Sequence, residues 1–187
     1  MATANTFTQI GSTVTVGSGG AATISFSSIP ATYTDLKILL SLKSPVTTAA
    51  YEVFGINFNN STSYQGRVLY YWFGTASTGS ETTFTKSSTT YARVFDTGIN
   101  TLSTTYLNPN IYSSTEIYIP NYAGGTNYKV YGAVNASENN SASDGGFLEL
   151  AAGLSSNATA ITTITVAGRD NDFMQYSTAS LYGILKY

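Results

Sequence analysis

The chain has no cysteine and no histidine, and only 10% of its 187 residues are charged. Each shortage removes a class of chemistry. Without cysteine there is no disulfide framework and no thiolate metal site. Without histidine, the Ser-His-Asp and Cys-His arrangements of nucleophilic catalysis are excluded, as are the usual zinc ligand sets. The charged fraction is well below the ~25% of an average soluble domain. The eight Lys and Arg residues stand singly along the chain, so no basic patch exists and nucleic acid is not an expected partner. No apolar run approaches the roughly 18 residues of a membrane span, so a membrane is not an expected partner either. The first five residues, Met1-Ala2-Thr3-Ala4-Asn5, lack the charged start and apolar stretch of a signal peptide. The Asn-x-Ser/Thr triplets at Asn60, Asn135 and Asn157 therefore read as chance in a chain that is about one third Ser, Thr and Asn.

Carboxylates are the one catalytic chemistry left open, because a glycosidase needs only two of them at a set separation. Among the ten Asp and Glu residues, only Asp170 and Asp172 lie close in sequence, and they fall in a turn. No strand carries two acids at i and i+2, the spacing that would set both on one face of a cleft. Glu116 and Glu149 read as outward-facing strand positions. Asp170-Asn171-Asp172 and the Glu138 to Asp144 loop offer oxygen ligands for calcium, but Asp and Asn also dominate turns by bonding their local backbone, and the turn reading is preferred. No glycine-rich loop follows a strand and opens a helix, so no nucleotide cradle is expected. The expectation is a protein that is not an enzyme, with no cofactor and no metal.

What the chain does contain is strand signal and tyrosine, 15 copies of it. Leu36, Ile38, Leu40 and Leu42 alternate with Lys37, Ser41 and Lys43, which predicts a strand over residues 35–43. The same logic predicts strands over 22–26, 52–58, 90–95, 115–119, 128–134, 147–151, 161–166 and 180–186. Residues 68–73, nearly all apolar, predict a strand buried on both sides. Gly74 to Thr90 is the one long polar stretch and is expected to be a mobile loop. Pro30 to Thr34 predicts a tight corner or one short helical turn. No segment shows a helical stripe over three turns. The expected fold is all-β, an antiparallel β-sandwich of jelly-roll type, with residues 1–16 as an N-terminal arm and first strand and residues 17–187 as one sandwich domain.

Two groups are candidates for binding. The polar arm, Ala2 to Gln9, carries Thr3, Asn5, Thr6 and the apolar anchor Phe7, and could add a strand to a neighbour's sheet edge. Tyr70-Tyr71-Trp72 is a dense aromatic group, read either as a core strand with alternating rings or as a platform for glycans or a protein partner.

Four segments carry a resemblance when taken in order. They are Phe26-Ser27-Ser28-Ile29-Pro30-Ala31-Thr32-Tyr33-Thr34-Asp35-Leu36; Ile56-Asn57-Phe58-Asn59-Asn60 with Ser63-Tyr64; Ile119-Pro120-Asn121-Tyr122; and Ala160-Ile161-Thr162-Thr163-Ile164 with Ser177-Thr178-Ala179-Ser180-Leu181-Tyr182-Gly183-Ile184. Over residues 7 to 187 the set resembles virion proteins of tailed bacteriophages of aquatic bacteria, a group of capsid-decoration, fibre and tail proteins. The resemblance implies a structural virion protein on the particle surface, made in the host cytoplasm. The first expectation is a head decoration or cement protein, homo-oligomeric and trimeric, that contacts the major capsid protein or other virion proteins. The alternatives are a tail fibre or tail-tip domain contacting host glycans and, more remotely, a polysaccharide depolymerase. The resemblance supplies no catalytic residue. Read physically, all four segments define the fold, with Gly183 allowing a close approach and Asn57 alternating out of the core.

Overall fold

The structure is a computed structural model that describes residues 6–45, 52–73, 78–86, 92–97, 111–138, 146–169 and 171–185. Among these residues there are thirteen strands and no helix. In chain order they are β1 (Phe7–Gln9), β2 (Val14–Thr15), β3 (Thr23–Phe26), β4 (Asp35–Ser41), β5 (Glu52–Phe58), β6 (Tyr64–Phe73), β7 (Thr78–Lys86), β8 (Ala92–Thr97), β9 (Ser114–Ile119), β10 (Lys129–Glu138), β11 (Gly146–Ser155), β12 (Ile164–Gly168) and β13 (Thr178–Ile184).

The strands form two antiparallel sheets. A nine-stranded sheet runs β1-β13-β4-β9-β10-β11-β6-β7, with β2 also pairing β13, and a four-stranded sheet runs β3-β12-β5-β8. The small sheet lies on one face of the large one, β8 against β11, β6 and β10. Alternation builds the core between them. The large sheet contributes Leu36, Ile38 and Leu40 from β4 and Ile117 and Ile119 from β9. The small sheet contributes Ile24, Phe54, Ile56, Phe58, Ile164 and Val166. Each such side chain stabilises the fold by roughly 1.5–3 kcal/mol relative to exposure. A sandwich of this depth holds without disulfides.

Three expectations are corrected here. Gly74 to Thr90 is not a loop throughout: β7 pairs with β6 along its whole length, from Tyr64 opposite Lys86 to Trp72 opposite Thr78. Its polarity misleads because an edge strand of threonines satisfies its backbone through one neighbour and needs no apolar alternation. Residues 68–73 are not buried on both sides, since Leu69 and Tyr71 are 51% and 43% exposed. Asn57 does alternate away from Phe58, but it is buried, and its Nδ2 donates to the Ser61 carbonyl at 2.8 Å.

The four segments singled out in the sequence meet at one end of the sandwich. Pro30 to Thr34 forms the corner into β4. Tyr122 is buried against it: its hydroxyl donates to the Pro30 carbonyl, and the Ile161 N–H donates to the Tyr122 carbonyl at 2.9 Å. Asp35 is buried at the start of β4, where it accepts the Tyr118 hydroxyl and, at 2.9 Å, the Asn121 N–H. Asn59 turns the chain after β5 in the left-handed region, at φ 51°, which Asn tolerates better than most residues. Its side chain donates to the Ala160 carbonyl and accepts from the Thr162 and Thr163 N–H groups. Gly183 lies beneath the Tyr33 ring, where an added Cβ would fall 2.2 Å from Cγ. Side-chain hydrogen bonds to backbone join these segments at this end of the sandwich.

Candidate protein-contact face

The outer face of the large sheet is where composition and exposure disagree. Cross-strand register arranges its side chains in rows. The central row runs Leu39, Glu116, Val134, Leu150, Leu69 across β4, β9, β10, β11 and β6. One flanking row runs Lys37, Tyr118, Gly132, Ala152, Arg67, and the other Ser114, Ala136, Leu148, Tyr71. Eleven large hydrophobic side chains are exposed among the described residues, and all but Tyr128 and Tyr176 belong to strands with this outward parity. The face therefore concentrates apolar side chains, where a monomeric surface would scatter them. A shallow open groove of about 500 Å³ crosses it over β13, β4, β9 and β10, lined among others by Leu39, Glu116, Val134 and Ala136.

β11 shows the inversion most clearly. Leu148 and Leu150 point outward, while Glu149 is fully buried in the sandwich. This corrects the expectation that Glu149 faces solvent. The burial is tolerated because register sets Glu149 beside Asn135, whose Nδ2 donates to Oε2 at 2.7 Å, and the Thr115 hydroxyl donates to Asn135 Oδ1 at 2.7 Å. A buried carboxylate needs a donor, and Oε2 receives one at the end of a hydrogen-bonded chain that crosses three strands. Glu116 does face outward as expected and pairs with Lys37 at 2.7 Å.

The remaining sequence candidates fall as follows. Thr3 and Asn5 lie outside the described residues. Phe7 opens β1, which pairs with β13 of the same chain, and its ring stacks on Tyr182 with centroids 4.6 Å apart. The Thr6 carbonyl accepts the Leu185 N–H at 2.9 Å, so the end of the arm is an edge strand of its own sheet. Tyr70 is half-buried on the inner side and tilts against Phe147, whereas Tyr71 is exposed on the outer face. The aromatic group is thus divided between the two sides of β6. Trp72 is placed in β6, and its side chain lies outside the described ones. Asp170 lies outside them too, and among the described residues no cluster of three or more acids could hold a metal.

Sequence reasoning missed the outer-face residues Leu39, Leu69, Val134, Leu148 and Leu150 as a group. The available signal was β11 itself, where the outward parity of Leu148 and Leu150 follows once Glu149 is placed against Asn135.

Among the described residues, burial shifts the titration of three tyrosines and two lysines. Burial pushes the Tyr64, Tyr122 and Tyr131 hydroxyls above their usual 10.0, and pushes Lys43 and Lys129 below their usual 10.5. A raised tyrosine keeps its proton in the folded state after the unfolded chain has lost it. Its contribution is whole below pH 10 and is lost as pH rises through the folded value. The lysines act oppositely, adding stability as pH rises from their lowered values toward 10.5. Above 10.5 the lysines are neutral in both states and only the tyrosines act, so stability should fall there. With no histidine or cysteine, the melting temperature should show no step near pH 6.5. A pH series of thermal melts, read with tyrosinate absorbance, checks this, and a step near pH 6.5 would contradict it.

Comparisons with protein-family models, with curated proteins and with solved structures returned no match to this chain.

Proposed function

We propose that the chain is a non-enzymatic virion protein of a tailed bacteriophage, seated on the head as a decoration protein and working through protein–protein contact. The observation that carries the contact reading is the inversion in β11, with two leucines outward and the glutamate inward. A sheet that faced only water would reverse this order. The phage assignment rests on the ordered sequence segments, which the fold joins at one end of the sandwich. The strand order also supports a jelly roll. β3, β12, β5 and β8 make one sheet and β4, β11, β6 and β7 the frame of the other, with β9 and β10 inserted between β4 and β11. Many copies of such a sandwich, each with a modest interface, reinforce a shell by symmetry.

Major capsid protein is the partner proposed for the virion, with self-association of the chain on the shell. Receptor binding at a tail tip is the weaker reading, because the centre of the exposed face, Leu39, Val134, Leu148, Leu150 and Leu69, is aliphatic, whereas sugars call for rings flanked by polar groups. Particles assembled without this protein test the choice. They should adsorb to cells normally and lose their heads on mild heating. Particles with heat-stable heads that fail to adsorb would overturn the decoration reading in favour of the receptor-binding one.

A further inference from the structure

We propose that a second copy of this chain docks on the outer face of the nine-stranded sheet, face to face, about a two-fold axis parallel to the strands between β10 and β11. The proposal rests on the contact reading above and names the occupant of that face. Turning a copy about this axis sets β10 over β11 and β9 over β6, and each cross-strand row meets itself. Val134 then opposes Leu150, Gly132 opposes Ala152, and Ala136 opposes Leu148. Two of these three pairs match a smaller side chain to a larger one, and the third is Val against Leu; each occurs twice by symmetry. Gly132 offers open space for an incoming methyl, with nothing within 4 Å of an added Cβ.

Charge fits the same axis. Gly132 pairs with Tyr118 and Ala152 with Arg67, so Arg67 of one copy faces Tyr118 of the other, with Glu116 one row further along β9. A guanidinium would lie between a ring and a carboxylate, in both halves of the interface. An axis laid across the strands along the central row would instead set Glu116 over Glu116 and Arg67 over Tyr71, so that no guanidinium meets a carboxylate. Strand twist confines the match to the middle of the face, where these residues are. Tyr118, Val134, Leu148, Leu150, Leu69 and Tyr71 are the exposed apolar side chains that the axis brings together on β9, β10, β11 and β6. A three-fold arrangement would need two different surfaces on each chain, and this face is complementary to itself.

Sedimentation equilibrium of the full chain at micromolar concentration should give twice 19.8 kDa. Leu150→Arg places a charge beside the axis and should yield monomer, with an unchanged circular dichroism spectrum because Leu150 is half-exposed. Arg67→Glu and Glu116→Arg should each weaken pairing about tenfold or more, and the double variant should recover most of that loss, since it restores opposite charges across the axis. Wild-type monomer, a wild-type trimer, or single reversals that the double variant does not repair would overturn the proposal. The contact reading fails separately. If the wild type is monomeric and Leu150→Arg is no longer incorporated into particles, the face binds another protein and only self-pairing is lost. If Leu150→Arg both dimerises and incorporates normally, both ideas fall.

Discussion

Lys129→Met should cost about 3 kcal/mol, because it strips three part-buried loop carbonyls of a charged donor. Lys129 is almost fully buried at the start of β10. Its ammonium donates to three backbone carbonyls, those of Gly124, of Asn127 at 2.9 Å and of Ala158 at 3.0 Å. The first two belong to the turn before β10 and the third to the loop after β11, so one side chain ties two loops together. Methionine keeps the apolar stem and removes the three donors. For a chain of this size the loss corresponds to a melting temperature lower by about 6–12 °C. Lys129→Arg should not rescue fully, because a planar fork cannot point at three carbonyls around one centre. An unchanged melting temperature in Lys129→Met would show that solvent, not the ammonium, satisfies these carbonyls.

Gly183→Ala should destabilise by about 2–3 kcal/mol, the upper part of the range for overpacking a filled site. The new Cβ would lie 2.2 Å from the Tyr33 ring, and the ring sits on the Pro30 to Thr34 corner. Moving it disturbs the contact between the Tyr33 N–H and the Tyr122 hydroxyl, and with it the end of the sandwich where the sequence segments meet. Gly125→Ala is the control. It adds the same methyl at an exposed loop position with nothing within 4 Å, away from the outer face, and should leave stability within about 0.5 kcal/mol, as a surface substitution does. Equal melting temperatures for the two variants would contradict the packing account of Gly183.

The strands that sequence located well are those with one wet and one dry face. In β4, Leu36, Ile38 and Leu40 alternate with Lys37 and Ser41, and pattern and burial agree. In β9, Ile117 and Ile119 alternate with Glu116 and Tyr118 in the same way. β6 broke the rule because its outward residues, Leu69 and Tyr71, are as apolar as a core. Sequence pattern registers that a side chain suits burial; it does not distinguish burial by the chain's own sheet from burial by a partner. β11 failed for the converse reason. An acid between leucines reads as the wet position, and only the register with β10 reveals that Asn135 receives it. β7 was missed because threonines on an edge strand resemble a polar loop. Composition alone excluded the histidine- and cysteine-based catalytic arrangements, since neither residue exists to build them.

The central claim is that this chain acts by contact through the outer face of its large sheet. Electron cryo-microscopy of the assembled particle tests it most directly. The account predicts density for the sandwich on the head, with Leu148, Leu150 and Leu69 buried against protein. Density at the tail tip, or a sandwich on the head with that face open to solvent, would contradict it.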